Sequence, residues 1–202
     1  MRAQDIMSRP VTTVTPATSA KDAARLLSSH GFTALPVVDD DERLVGIVTE
    51  ADLVADRLPR DPRTHGNAPA RSPGATVGAV MTSPVTALAP GTDLATVCRV
   101  LLDARIRAVP IVGDGQLAGI VTRGDIVKVF ARSDAEIARD VRRRLSTYGG
   151  PDRWHVEVHD GVVRIDDEFD NDTDRHVATV LAEAVPGVVT AHAVAVQPGG
   201  IR

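Results

Sequence analysis

The sequence predicts a mixed α/β (α+β) fold in which one unit occurs twice and a smaller third part follows. The first observation is an internal repeat, because Leu44–Val54 returns in closely similar form as Leu117–Val127. The second is that apolar residues in each copy switch between helical and strand spacing. The third is a change in charge: residues 1–132 carry 15 basic and 14 acidic side chains, whereas residues 133–202 carry 8 and 13.

The repeat includes the segments that flank this core. Met7–Thr12 corresponds to Met81–Thr86, and the spacing between the copies is one residue shorter by Thr49 and Thr122. One residue is therefore lost in the turn between the last two strands. We predict the order β-α-β-β-α for each copy, over residues 1–58 and 76–132, with the two copies packed as a pseudo-symmetric pair.

A helix near the start of each copy is predicted from apolar residues three and four positions apart. This spacing runs through Ala20–Leu27 in the first copy and through Leu94–Leu101 in the second. These apolar faces belong to the core. In the first copy, Ser19 before the helix and Gly31 after it are typical start and stop residues.

Residues 59–75 form a polar, proline-rich segment between the two copies. Pro59, Pro62, Pro69 and Pro73 stand among charged residues, glycine and asparagine. Such a composition predicts a loop. A loop of this length in a compact module is either a lid or a tolerated insertion, and the sequence leaves both open.

The remaining residues predict an α-β-β-α-β order over 133–198, before a tail at 199–202. Ser133–Glu136 has the form of a capping box that starts a helix, and Gly149–Pro151 ends it. Trp154–Ile165 has the alternation and the Asp-Gly turn of a β-hairpin. A second helix around 177–184 and a last strand at 188–196 complete the order.

Composition argues against several classes of function. The net charge is −4, lysine occurs only twice and aromatic residues are 2% of the chain. This balance disfavours binding to nucleic acid. His155 and His159 would be about 13 Å apart in an extended strand, too far to share a metal. No catalytic or metal-binding motif occurs. The charged start lacks the apolar run of a signal peptide, so we predict a cytoplasmic protein.

A threonine followed three residues later by an aspartate ends the repeated core in both copies, as Thr49 with Asp52 and Thr122 with Asp125. This spacing is typical of a helix cap, with the hydroxyl oxygen on a backbone amide and the carboxylate near the positive helix end. The same groups could bind a ligand, because a carboxylate can accept hydrogen bonds from both ribose hydroxyls. Both interpretations stay open on the residues alone.

Each copy, with its proline-containing strand followed by a strand and Thr-x-x-Asp, resembles a CBS domain. The pair resembles a tandem CBS (Bateman-type) module that binds adenosine-containing ligands. Residues 133–198, with Asp160–Val163 at the hairpin and Val185–Val188 before the last strand, resemble a BON domain. The BON family is associated with attachment to phospholipid or membranes.

The CBS resemblance implies a nucleotide site in each copy. Asp52 and Asp125 would hold the ribose, with Thr49 and Thr122 near the phosphates. The resemblance also implies residues that flank adenine from the first and second strands: Thr13, Val14, Thr33, Ala34, Pro36, Ala87, Leu88, Arg107, Ala108 and Pro110. Among them, Arg107 can also bind phosphate. The implied ligand is AMP, ADP, ATP or an S-adenosylmethionine-like compound, with no obligatory cofactor.

Together these features predict a non-enzymatic regulatory or sensor protein, with the BON-like part as an output or attachment module. The alternative is an adaptor that docks on a membrane or a protein while the CBS pair only dimerises. The resemblance implies a homodimer, and an anionic phospholipid or a protein as the partner of the BON-like part. Arg139, Arg142 and Arg143 share one face of the first helix there and are the candidate contact.

Overall fold

Each repeat folds into a helix, an antiparallel β-hairpin and a second helix. The computed structural model describes residues 1–55, 75–169 and 171–196. Most of the predicted linker and the tail at 199–202 lie outside these ranges. After the short helix α1 (Ala3–Ile6), the first repeat contains α2 (Ala20–His30), β1 (Ala34–Val38), β2 (Leu44–Thr49) and α3 (Glu50–Val54). The second repeat contains a 3₁₀ turn (Val77–Ala79), α4 (Leu94–Asp103), β3 (Ala108–Gly113), β4 (Gln116–Thr122) and α5 (Arg123–Phe130).

The first long helix of each repeat begins and ends for local reasons. The Ser19 hydroxyl caps α2 by accepting a hydrogen bond from the Asp22 amide at 3.1 Å. Gly31 ends the helix with a left-handed φ of 66°. Glycine adopts this conformation without steric cost. In the second repeat, Asp93 caps α4 by accepting from the Thr96 amide at 2.9 Å. Hydrogen bonds from the Thr96 hydroxyl and amide lower the pKa of Asp93.

The two hairpins have matching registers. Ala34 pairs with Thr49 in the first, Ala108 pairs with Thr122 in the second, and both hairpins shift register at equivalent positions. Each hairpin therefore places a small residue beside the threonine that ends its second strand. The internal repeat predicted this equivalence correctly.

The predicted first strand of each repeat is wrong as a strand, because only a single parallel bridge forms there. Val14 bridges to Val37 and Leu88 bridges to Ile111. The next donor in each parallel ladder would be the amide of Pro16 or Pro90, two residues further along the chain. Proline has no N–H to donate, so the pairing stops after one residue.

A segment near the start of each repeat pairs with the last strand of the other repeat. Thr82 and Ile47 exchange backbone hydrogen bonds of 2.9 and 3.1 Å, and Ser8 and Ile120 exchange bonds of 2.9 and 3.2 Å. The neighbouring methionines then cover glycines on these strands. A Cβ at Gly119 would overlap the Met7 side chain, so a larger residue there would have to displace the methionine. Backbone hydrogen bonds in both directions therefore hold the two repeats together.

The molecule consists of two compact units, Arg2–Arg123 and Gly124–Arg202. In the first unit, Ala34, Ile47 and Ala108 are buried together, with Val85 and Ile120 packed against them. This small cluster takes residues from both repeats. It is where the strands of the two copies meet.

The second unit begins inside α5 and continues with α6 (Asp134–Gly149), β5 (Trp154–His159), β6 (Val162–Asp167), α7 (Asp172–Glu183) and β7 (Thr190–Ala195). The α-β-β-α-β order predicted after residue 132 is therefore confirmed. Its sheet has the order β5-β6-β7, with β5 antiparallel and β7 parallel to the central strand. Helical residues predicted for the core, such as Ile137, Val141 and Leu145, are buried against this sheet.

The capping box predicted at the start of α6 is present, and a neighbouring carboxylate of the same helix start bonds to the hairpin between β5 and β6. Ser133 accepts a hydrogen bond from the Glu136 amide, and the Glu136 carboxylate accepts from the Ser133 amide at 2.9 Å. The next carboxylate, Asp134, accepts from the amides of Asp160 and Gly161 at 2.9 and 3.0 Å. The helix start therefore holds the Asp-Gly turn in place. Over the ranges described above, no helix is both long and apolar enough to cross a membrane.

Candidate functional site

A cavity of about 630 Å³ lies in the first unit, beside the start of α3. Six of the residues predicted from the CBS resemblance line it: Thr33, Ala34, Thr49, Asp52, Arg107 and Ala108. They come from both repeats, since the residues before β1 and before β3 meet over the end of β2. The structure therefore brings together residues that are far apart in the chain, such as Thr33 and Arg107.

The cavity also contains residues that sequence reasoning did not assign to it. One group follows the cross-repeat bridge at Thr82, a second belongs to β2 and α3, and a third precedes β3: Thr82, Pro84, Val85, Thr86, Ile47, Glu50, Ala51, Val54, Arg105 and Ile106. The repeated Pro-Val-Thr at 10–12 and 84–86 was the available signal for the first group. It did not show that the second copy of this segment serves the strand of the first repeat.

The other predicted site residues do not line the described wall of this cavity: Thr13, Val14, Pro36, Ala87, Leu88, Pro110, Thr122 and Asp125. Val14 is buried in the core of the first repeat, where it bridges to β1. Asp125 belongs to the second unit, is 8% exposed and has Lys128 Nζ at 3.2 Å from its Oδ1.

Thr49 and Asp52 form the capping box that the sequence predicted as one of two interpretations. The Asp52 Oδ2 atom accepts from the Thr49 amide at 2.8 Å and from the Thr49 hydroxyl at 2.7 Å. In return, the Thr49 hydroxyl oxygen accepts from the Asp52 amide at 3.4 Å. The hydroxyl proton of Thr49 is thus engaged by the carboxylate, so Thr49 positions Asp52 rather than donating to a phosphate.

Capping engages only one of the two oxygens of the Asp52 carboxylate. Within the described part of the chain, no hydrogen bond reaches its Oδ1 atom, whereas Oδ2 has two donors. The side chain is half-buried and lines the cavity. One oxygen can therefore hold the helix start while the other accepts hydrogen bonds from a ligand. The two interpretations of the Thr-x-x-Asp motif are compatible in the same residue.

The buried floor of the cavity is apolar and includes two alanines. Ala34 and Ala108 are 7% and 5% exposed, and Ile47 is 8% exposed between them in the same cluster. A larger side chain at either alanine would fill space that is now part of the cavity. The arrangement suits a flat apolar ring, because burying such a ring removes apolar surface from water.

Charged side chains surround the opening. Arg107 Nη1 lies 3.6 Å from Glu50 Oε2, with the two side chains 71% and 52% exposed. Arg105 also lines the cavity, and its side chain makes no ion pair with any residue that the structure describes. Arg105 is thus available for an anion, and Arg107 can bind one in exchange for its exposed pair with Glu50. Among the described lining residues there is no histidine, lysine, cysteine or serine.

The protein-family comparison matches the model of the CBS domain twice, over residues 3–57 and 77–132. One curated relative is the chloroplastic CBS domain-containing protein CBSX1 of Arabidopsis thaliana, which is 33% identical. That match covers 57% of this chain and 57% of the relative. The chain thus spans little more than half the length of this plant protein.

Solved structures of CBS pairs are similar to the same part of the chain. The CBS domain pair of protein MJ0100, in complex with 5′-methylthioadenosine and S-adenosyl-L-methionine, has 28% identity and a TM-score of 0.54. The match covers 65% of this chain and 96% of that one. CBSX2 in complex with AMP has 34% identity and a TM-score of 0.52, over 63% and 93% of the two chains. With its two matched copies and these structural relatives, the chain belongs to the CBS domain family.

Proposed function

We propose that this is a non-enzymatic regulatory protein whose CBS pair binds an adenosine-containing nucleotide in the cavity beside α3. One observation supports the proposal: three features meet in a single cavity. They are the Asp52 Oδ1 atom, which accepts no hydrogen bond from the described residues, the two alanines of the floor, and two arginines. Structures of related CBS pairs contain AMP, or methylthioadenosine and S-adenosylmethionine. CBS pairs are generally regulatory modules, which supports a sensor rather than an enzyme.

The side chains suggest how each part of the nucleotide is held. The adenine ring packs on Ala34 and Ala108, where its apolar faces leave water. The ribose diol donates to Asp52 Oδ1, since the Thr49 cap holds the carboxylate in place through its other oxygen. The phosphate faces Arg105 and Arg107, whose planar guanidinium groups can donate two hydrogen bonds to one phosphate.

Ligand binding should stabilise the fold measurably. A ligand at 100 times its dissociation constant raises the free energy of unfolding by about 2.7 kcal/mol. A thermal-shift screen of AMP, ADP, ATP and S-adenosylmethionine should therefore raise the melting temperature by several degrees with at least one compound. Uridine monophosphate is the matched control, because it carries the ribose and phosphate without adenine. If no adenosine compound at millimolar concentration changes the melt or releases heat in calorimetry, the sensor function is wrong.

For the second unit, we propose an output or attachment module of the BON type in a cytoplasmic homodimer. The α-β-β-α-β order and the Asp-Gly hairpin turn support the BON attribution. The dimer rests on the resemblance of the first unit to CBS pairs. The alternative, an adaptor docking on an anionic membrane, is favoured by exposed arginines on α6.

The basic face that the sequence predicted on α6 is exposed, because Arg139, Arg142 and Arg143 all lie on the surface of the helix. Arg142 Nη2 also donates to the backbone carbonyl of Val156 at 2.9 Å, which ties this side chain to β5. Arg143 pairs with Asp140 at 2.9 Å. The candidate lipid contact is therefore the predicted face of Arg139, Arg142 and Arg143, with the exposed Arg144 beside it.

Binding of the full chain to liposomes tests the adaptor alternative. We expect no sedimentation with neutral liposomes, and any binding to anionic liposomes should weaken at high salt because it depends on charge. Reversing Arg139 and Arg143 to glutamate should abolish it. The control reverses Lys21 and Arg25 in the other unit, with the same change of net charge. Salt-insensitive binding to neutral lipid would contradict this account of the second unit.

A further inference from the structure

The ion pair between Arg107 and Glu50 joins the two repeats across the opening of the cavity. Glu50 is the first residue of α3 in the first repeat, whereas Arg107 precedes β3 in the second. Both side chains line the cavity and both are largely exposed, with the guanidinium 3.6 Å from the carboxylate. An exposed pair of this kind contributes little to stability. Its position matters more than its strength, because it lies where a phosphate would approach.

The repeats are equivalent in backbone but not in charge at these positions. The Glu50 amide donates to the Thr33 carbonyl at 3.4 Å, and the Arg123 amide donates to the Arg107 carbonyl at 3.0 Å. These bonds identify Arg123 as the counterpart of Glu50, and Thr33 as the counterpart of Arg107. A threonine and an arginine cannot form the equivalent ion pair. The second repeat also directs Arg123 Nη2 to the Leu101 carbonyl at 2.8 Å. Of the two repeats, only the first therefore carries an acidic side chain at this position.

We propose that Glu50 determines charge specificity and makes the site prefer a nucleoside monophosphate to a triphosphate. This inference rests on the proposed nucleotide function. A phosphate monoester carries about −1.5 to −2 charges at neutral pH, which Arg105 and Arg107 together can neutralise. Each further phosphate adds negative charge near the Glu50 carboxylate and competes with it for Arg107. The penalty therefore grows with the number of phosphates and is absent for adenosine.

Titration calorimetry with adenosine, AMP and ATP, without magnesium, tests this inference on the full chain. For the unmodified protein we expect affinities in the order AMP, ATP, adenosine. Glu50→Gln should leave adenosine unchanged, strengthen AMP slightly and strengthen ATP by about two- to fivefold, the range of one exposed charge interaction. Arg107→Gln should weaken AMP by about tenfold, as expected for a lost bond to a charged group, without affecting adenosine. Glu183→Gln, an exposed residue of α7, is the control with the same change of charge.

The outcomes separate this inference from the function on which it rests. If AMP and adenosine bind but Glu50→Gln changes the ATP-to-AMP ratio no more than Glu183→Gln does, the role of Glu50 is overturned and the nucleotide function stands. If cationic S-adenosylmethionine binds more tightly than AMP and Glu50→Gln weakens it, Glu50 is an anchor for a cation and the proposed preference is wrong. If no compound binds any variant, both the function and the inference fail.

Discussion

Asp52→Asn is expected to abolish most nucleotide binding while leaving the protein folded. The asparagine side-chain oxygen can still accept from the Thr49 amide and hydroxyl, which now bond to Asp52 Oδ2 at 2.8 and 2.7 Å. The amide group then replaces the oxygen that would accept from the ribose. A hydrogen bond to a charged acceptor contributes about 1.5–3 kcal/mol, so the dissociation constant should rise by about 10- to 100-fold. Calorimetry with AMP measures this change.

Two further variants separate ligand binding from capping. Asp52→Ala removes the proposed ribose acceptor and the carboxylate half of the capping box, whereas the Thr49 hydroxyl can still accept from the backbone amide of residue 52. This loss should lower the free energy of unfolding by about 1 kcal/mol. Asp125→Asn is the matched change in the second copy and leaves the described cavity intact. The account of the site is contradicted if Asp52→Asn binds AMP normally, or if its melting temperature falls as far as that of Asp52→Ala.

Arg153→Met is expected to destabilise the second unit strongly. Arg153 donates to both carboxylate oxygens of Asp167, at 2.9 and 3.1 Å, and pairs with Asp174 at 2.7 Å. Asp167 is completely buried, so the substitution leaves a charge without its partner in the interior. Breaking a buried pair in this way costs about 3–5 kcal/mol. The guanidinium also stacks 4.3 Å from the centre of the Trp154 ring, and methionine keeps part of that apolar contact.

Chemical denaturation followed by Trp154 fluorescence measures this loss. Arg139→Met is the control, because Arg139 is an exposed residue of α6. Surface substitutions of this kind change stability by about 0.5 kcal/mol or less. Equal effects of the two variants would contradict a structural role for the Arg153 network.

The same network predicts a dependence on acidic pH. The hydrogen bond from the Tyr148 hydroxyl, followed by the bond from Arg153, lowers the pKa of Asp174. A carboxyl whose pKa is lower in the folded than in the unfolded state stabilises the protein above its ordinary pKa. This contribution is lost as the pH falls through the lowered value. Arg153→Met removes part of the shift, so the variant should unfold at a higher pH than the unmodified chain.

Local features of both units could be predicted from the sequence. Capping by Ser19 and Ser133, and the threonine–aspartate box at the start of α3, need only residues three positions apart. The α-β-β-α-β order could be predicted too, because hydrophobic periodicity and turn residues are also local features of the chain. The wrong prediction of a first strand in each repeat also has a local cause. A proline two residues after Val14 and after Leu88 removes the next donor, and the prediction did not allow for it.

Tertiary structure decided which of these local elements share a site. Pairing of Thr82 with Ile47 brings Pro84–Thr86 of the second repeat to the cavity of the first. The ion pair of Arg107 with Glu50 likewise joins residues that no helical or strand spacing relates. Neighbouring residues along the chain were enough to predict the duplicated unit and its capping residues, including Thr49 with Asp52. The composition of the cavity depended on long-range backbone pairing, because hydrogen bonds between the two copies, rather than periodicity within either, select the residues that meet.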